Sequence, residues 1–343
     1  MSVLNKAARH FFWKPAACVP SLEFLDAAHG VLSKRDVTPT LTGADRGRQR
    51  LAVVELAGGK IVGDLRLVAT ADDVVVGGIQ SLFGCVEPQN HYLLHRRRFR
   101  TLKHRPGTAL LLGAAASDNY YHWMLDSLPR WRMMQLAGYR EYDYVLLHRL
   151  PRRFQDETLD RLGVPPERRL RCSKLLVHQF ERLVVPAMPF PLEEVSPWAC
   201  AWVRSLFPEK ASGPEKIYLR RGAGRRVLAN EAELEAALKP LGFAPVQPDQ
   251  MTVAEQAEFL SSARCIVAPH GAALTNMIFA PPDALLVEVF HPQHKNRCYV
   301  NLATACSHRY AGLEGDAINR PGARRLEYTI DVAAVVRTVS EGV

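Results

Sequence analysis

The sequence predicts an α/β protein built from two Rossmann-like, doubly wound domains facing a cleft, with a small β element near the N-terminus. Three observations predict it. The chain has 343 residues, too many for one ordinary core, so two domains of about 150 residues each are expected. From residue 107 onward, short apolar runs alternate with amphipathic segments across short loops, the pattern of a parallel sheet covered on both faces. The run PAMPFPLEEVSP, with four prolines, interrupts that alternation and reads as the connection between domains. The expected boundaries are 1–106 for an irregular, β-rich N-terminal segment, 107–190 for the first Rossmann-like domain, 191–213 for the link and 214–335 for the second.

In chain order, LAVVEL, KIVGDLRLVAT and DDVVVGG within 51–84 read as short strands separated by Gly58-Gly59 and Asp72-Asp73 turns. TALLLG is a buried strand. Residues 118–137 have helical period and Gly138 suits a C-cap. DYVLLH is a second strand and 154–162 a short helix ending at Gly163; 174–177 and 183–185 read as two further short strands. In the second domain 216–220 is a strand. Asn230 with Glu233 forms a capping box for a helix whose apolar face is Leu234, Ala237, Leu238 and Leu241, stopped by Gly242. Residues 243–246, 264–268 and 284–290 are strands. Thr252 with Glu255 opens a helix to 262, and 270–279 is a short helix. Ligands of such folds bind at the carboxyl ends of the strands.

Composition narrows the class. The chain is 48% hydrophobic and 23% charged, with net charge +9 and pI about 9.3. A basic surface suits an anionic partner. The dense run His95-Arg96-Arg97-Arg98-Phe99-Arg100 has no nucleic-acid motif around it, and no nucleic-acid partner is expected. No stretch of 18 apolar residues occurs, and the first 20 residues lack the apolar core of a secretory signal. Seven cysteines, an odd number with no C-x-x-C, argue against a disulfide framework or a structural zinc site. A cytoplasmic protein is expected, its basic surface resting on an anionic membrane.

Four groups of residues suit chemistry. His270-Gly271-Ala272, with Thr275 and Asn276, follows a buried strand and opens a helix, where free N–H groups favour an anion; a tight packing turn is the alternative. Arg220, Arg221, Arg225 and Arg226 lie at a glycine-containing loop at the carboxyl end of the preceding strand, suited to a pyrophosphate by bidentate guanidinium contacts. Glu288, near the end of a buried strand, suits two ribose hydroxyls or an ion pair with arginine. His122, Asp126 and Arg130 stand four apart on one helix face, where His122 and Asp126 form a base and its orienter, Asp126 being the favoured base. No two aspartates stand two apart, so no D-x-D metal site is expected and arginines must neutralise a leaving phosphate. No metal and no cofactor are expected.

Two blocks resemble glycosyltransferase family 61. One is Asn119-Tyr120-Tyr121-His122-Trp123 with Asp126 and Pro129-Arg130. The other runs from Tyr218 through Arg221, Arg225-Arg226, Asn230-Glu231, Phe243, Glu255-Gln256 and His270-Gly271-Ala272 to Asn276, Phe279 and Glu288. The family pattern has serine where this chain has Arg220. The resemblance implies a GT-B fold and inverting, metal-independent transfer. It implies a nucleotide-sugar donor, a UDP-sugar first, held by the second domain. The acceptor implied is a glycan or lipid-linked glycan, met on the side of Asp118, Asn119, Tyr121 and Arg130. Bacterial relatives are linked to capsule or other surface polysaccharide. A non-catalytic nucleotide-sugar or glycan-binding protein on the same fold is the alternative.

Overall fold

A computed structural model of the chain describes residues 27–37, 51–65, 67–76, 101–189, 194–207, 212–221, 224, 226–294, 296–318 and 325–342, with short strands at 11–12, 17–19 and 98–99. It divides into two compact units, Met1–Phe190 and Pro191–Val343. Among the described residues no helix is long and apolar enough to cross a membrane. Arg225, His95 to Arg97 and Arg100, all singled out above, lie outside the described residues.

The first unit holds a ten-stranded mixed sheet. Its parallel part is β1 (Thr101–Leu111), β2 (Tyr144–Leu147), β3 (Arg169–Arg171) and β4 (Leu176–Pro186), in the spatial order β3-β2-β1-β4. That is the 3-2-1-4 arrangement of a half Rossmann sheet. Two expectations need correction here. Residues 176–177 of the first segment and all of 183–185 belong to one eleven-residue strand, β4, and 174–175 form the turn before it. A register shift between Phe180 and Arg182 leaves Glu181 and Arg182 exposed side by side, and two adjacent charges imitate a turn. Nor does a boundary fall at 106. Strand Leu51–Ala57 pairs antiparallel with the end of β4, and Lys60–Val62 with its start. Val54, Leu56, Ile61 and Leu65 share one core with Leu111, Leu146, Phe180 and Leu183. The long β4 gives the earlier strands an edge on which to pair, so they extend this sheet rather than stand ahead of it.

The helix expected at 118–137 is composite. Asn119 caps it, its side-chain oxygen accepting from the Tyr121 N–H at 2.9 Å. An α turn, Tyr120–His122, runs into a π turn, Trp123–Ser127, and then into α-helix Leu128–Leu136. Leu128 N–H donates to the Trp123 carbonyl, five residues back. Pro129 has no N–H to give, so the ladder loses a rung there and the wider turn takes it up. Gly138, at φ 86°, closes the helix as expected.

The second unit holds a five-stranded, all-parallel sheet of β5 (Lys216–Leu219), β6 (Ala244–Val246), β7 (Cys265–Pro269), β8 (Leu285–Phe290) and β9 (Arg309–Glu314), ordered β6-β5-β7-β8-β9. Tyr218, Leu234, Leu238, Val267, Val287 and Val335 are among the residues of its core. Thr252 and Glu255 form the expected capping box, with Thr252 N–H to Glu255 Oε2 at 2.7 Å and Glu255 N–H to Thr252 Oγ1 at 3.1 Å. Asn230 does not form the other. Its side chain instead clamps Ile330, accepting from the Ile330 N–H at 3.0 Å and donating to the Ile330 carbonyl at 2.9 Å. A backbone pair from the C-terminal segment outcompetes the helix's own N–H groups. Residues 191–213 are not merely a link: helix Pro197–Ser205 buries Trp198, Ala199, Cys200 and Val203 in this unit, and Phe207 packs edge-on against Phe279 at 5.3 Å. The segment after β7 is a 3-10 helix, Ala272–Phe279.

Candidate functional site

In the second unit the chain passes from β5 to β6 on one side and then crosses to β7 on the other. The strand order therefore reverses between β5 and β7, and the crevice beyond their carboxyl ends is where ligands of such sheets bind. Arg221 leaves β5 there, and His270-Gly271 leaves β7. Arg226 opens strand Arg226–Leu228, which pairs with Leu326–Thr329. Arg221 and Arg226 are partly buried. Nε and Nη1 of Arg221 and Nη1 of Arg226 have no hydrogen-bond partner among the described residues. Burial, and then the charge of Arg226, holds the Arg221 guanidinium below its ordinary value. Burial lowers Arg226 too. Buried N–H groups without acceptors are costly, and two like charges side by side add to the cost. An anion relieves both.

His270 is fixed from behind. Its Nδ1 lies on Glu288 Oε1, and the second Glu288 oxygen accepts from the Tyr310 hydroxyl at 2.8 Å. Its Nε2 faces Nε2 of His294 at 3.2 Å. The Tyr299 ring lies 5.1 Å from the His270 ring, and its hydroxyl donates to the Gly271 carbonyl at 2.6 Å. Burial first, then Arg226, His270, Arg221 and His291, push the His294 pKa down to about 4. A carboxylate-oriented imidazole beside two guanidinium groups is equipped to hold a polyanion such as a diphosphate.

Several expected donor contacts are reassigned. Arg220 makes a two-pronged ion pair with Glu235, Nε to Oε1 at 2.7 Å and Nη2 to Oε2 at 2.6 Å. Successive residues leaving a strand face opposite ways, so Arg221 enters the crevice and Arg220 does not. Glu288 is buried with both oxygens engaged, which makes it the orienter of His270 rather than a ribose acceptor. Thr275 and Asn276 are fully buried, and Asn276 Nδ2 donates to Gln256 Oε1 at 2.6 Å; they lie under the turn. Sequence reasoning missed His291, His294, Tyr299 and Tyr310. The signal was the stretch HPQH immediately after β8, on the same sheet edge.

In the first unit the composite helix follows β1, whose neighbours β2 and β4 lie on opposite sides. His122 Nδ1 is 2.7 Å from Asp126 Oδ2 across the π turn. The His122 side chain is 22% exposed and that of Asp126 5%, so His122 is the member that reaches solvent. Ser127 meets Ser117 at 2.8 Å and Trp123 donates to Thr158 Oγ1 at 2.8 Å, which fixes the turn. One acceptor-side expectation fails. Arg130 is fully buried, donating to the Gly113 carbonyl at 3.1 Å, with burial pushing its pKa down to about 10. Asn119 is exposed and uses its side-chain oxygen for the cap. Asp118 and Tyr121 remain partly exposed, Tyr121 packing edge-on against His122 at 5.3 Å. A neighbouring group was also missed: Asp64 lies 3.5 Å from His148 Nε2 and accepts from Arg149 Nε at 3.1 Å, and His148 Nδ1 is 4.0 Å from Asp118.

The model of the family described as Glycosyltransferase 61 matches residues 120–287, a stretch that contains His122, Asp126, Arg221, Arg226 and His270. Over that stretch the chain is similar to glycosyltransferase family 61. It is also similar to the protein named Beta-1,2-xylosyltransferease XAX1 from Oryza sativa subsp. japonica, with 38% identity over 91 residues. That match takes in 24% of this chain and 15% of the rice protein's length.

Proposed function

We propose that the chain transfers a sugar from a nucleotide-diphosphate donor to a hydroxyl of a glycan, in one inverting displacement and without a metal ion. The observation that carries this reading is the pair Arg221 and Arg226, half-buried, with unpartnered N–H groups at the switch point of a parallel sheet and beside His270. These charges neutralise the leaving diphosphate, the role a divalent ion fills where a D-x-D motif is present. On the acceptor side, His122 takes the hydroxyl proton and Asp126 orients its ring. This reverses the order favoured from sequence, because Asp126 is the buried member of the pair. Nδ1–H of His122 to Asp126 leaves Nε2 as the nitrogen that accepts the proton.

UDP-sugars are the first donors to test, with UDP-xylose among them because the rice relative is named a xylosyltransferase. The role proposed is in bacterial surface polysaccharide synthesis, in the cytoplasm, with the +9 charge favouring loose contact with an anionic membrane or lipid-linked acceptor. The test is a donor screen that reads nucleotide diphosphate release with and without EDTA. Release that persists in EDTA supports the proposal. Release lost to EDTA and restored by manganese overturns its metal-free part. Tight UDP binding with no release from any donor favours the non-catalytic binding protein.

A further inference from the structure

The contact between His270 and His294 is a hydrogen bond between two imidazoles, 3.2 Å from Nε2 to Nε2 with the rings at 74°. Only one proton fits between those nitrogens. Since His270 Nδ1 donates to Glu288, the neutral pair has His270 Nε2 accepting and His294 Nε2 donating. The charged and titratable groups around it come from every neighbouring element: Arg221 after β5, Arg226 on its short strand, Glu288 on β8, His291 on the segment of His294, Cys298 and Tyr299 on helix Cys298–Ala305, Tyr310 on β9 and Tyr328 on strand Leu326–Thr329. Burial holds Tyr310 and Tyr328 above their ordinary range and Cys298 up at about 12, so none of these three carries a charge at neutral pH. The anion Glu288 lies behind His270 and Glu231 accepts from the Arg221 backbone N–H at 3.3 Å; cations face His294.

We propose that the His270–His294 pair takes up one proton from solvent when a nucleoside diphosphate binds between Arg221 and Arg226, and that His294 thereby becomes a hydrogen-bond donor to the phosphate. The inference rests on the donor-site reading above. With the added proton the pair holds three: one on His270 Nδ1 toward Glu288, one between the two Nε2 atoms and one on His294 Nδ1. The proton of His294 moves to Nδ1, the only ring position left to it, and is available there to an anion. No covalent bond forms or breaks. The driving force is a change of sign. Without ligand, Arg221, Arg226 and His291 oppose another positive charge. A diphosphate brings two or three negative charges to the same place, and the Glu288 carboxylate, held by Tyr310, already balances the imidazolium from behind.

The test is calorimetry of UDP and GDP binding to the full chain near pH 7.5, in buffers of different ionisation enthalpy. The expected result is a buffer-dependent enthalpy equal to uptake of about half to one proton per ligand. Between about pH 7 and 8.5 the Kd should weaken several-fold per unit, approaching tenfold for a whole proton. In His294→Asn the enthalpy should lose its buffer dependence and the Kd its slope with pH. UDP binding without proton uptake in the unmodified protein overturns the coupling alone. No binding of either nucleotide overturns the donor-site reading and the coupling with it.

Discussion

Arg221 lies directly against Gly271: a β-carbon added to Gly271 would sit 2.9 Å from Nη1 of Arg221. The backbone at Gly271 is extended, at φ 178°, a conformation any residue adopts. Glycine is there for the close approach and not for the turn. Gly271→Ala is therefore expected to fold normally, since the guanidinium end of a long side chain can step aside, but to displace the group that faces the ligand. Its melting temperature should stay within a few degrees of wild type while the Kd for UDP rises on the order of tenfold. Calorimetry beside a thermal melt reads both, and unchanged affinity would show that Arg221 does not touch the ligand from this position.

Arg221 and its neighbour Arg220 should behave oppositely. Removing one charged hydrogen-bonding partner costs about 1.5–3 kcal/mol, so Arg221→Ala and Arg226→Ala should each raise the UDP Kd by roughly tenfold or more. Arg220→Ala breaks an exposed ion pair with Glu235 and should leave the Kd within about twofold. Titration of the three purified variants with UDP checks this. Equal losses in all three would mean that a diffuse positive field, rather than placed guanidinium groups, holds the donor.

The same pair shows where the sequence could be read and where it could not. In the second unit β5 to β8 were legible because each is a short, mostly apolar run, and Thr252 with Glu255 behaves as its spacing predicts; β9, RYAGLE, is not an apolar run and was not read. That arginines and His270 share one sheet edge follows from a parallel sheet alone. Which of Arg220 and Arg221 enters the crevice depends on the face each takes on leaving β5, and an exact register is needed for that. Glu288 was misjudged because its partners, His270 and Tyr310, come from other strands and saturate it. In the first unit, Glu181 and Arg182 at a bulge hid the length of β4. Without β4 nothing indicated that strands 51–57 and 60–62 belonged to its sheet.

Asn276 separates fold from ligand. It is fully buried and its amide donates to Gln256 at 2.6 Å. Asn276→Ala leaves the Gln256 oxygen without that donor and opens a small void, at a cost of about 1–3 kcal/mol. Denaturant unfolding should show a lower midpoint, while UDP affinity in the folded fraction should hold within about twofold. A large loss of affinity with unchanged stability would restore Asn276 to the donor site.

His122 and Asp126 are predicted to differ in kind. An acceptor hydroxyl must lose its proton as it attacks the anomeric carbon, and a positioned base contributes about a hundredfold to ten-thousandfold. The exposed imidazole of His122 is placed to take that proton; the carboxylate of Asp126, 5% exposed, is placed to hold the ring. His122→Ala should therefore lower kcat by about a hundredfold or more with the UDP Kd unchanged. Asp126→Asn keeps the shape and a hydrogen bond but loses the charge that stabilises the imidazolium formed on proton transfer, so it should lower kcat by a smaller factor. Turnover with a verified donor and acceptor, measured across pH for both variants, decides the assignment. If Asp126→Asn proves the more damaging and His122→Ala keeps a substantial rate, the carboxylate is the base, as the sequence alone suggested. If both keep near-wild-type turnover, the π turn is structural and the base is to be sought at Asp118, which lies 4.0 Å from His148 and shares it with the buried Asp64.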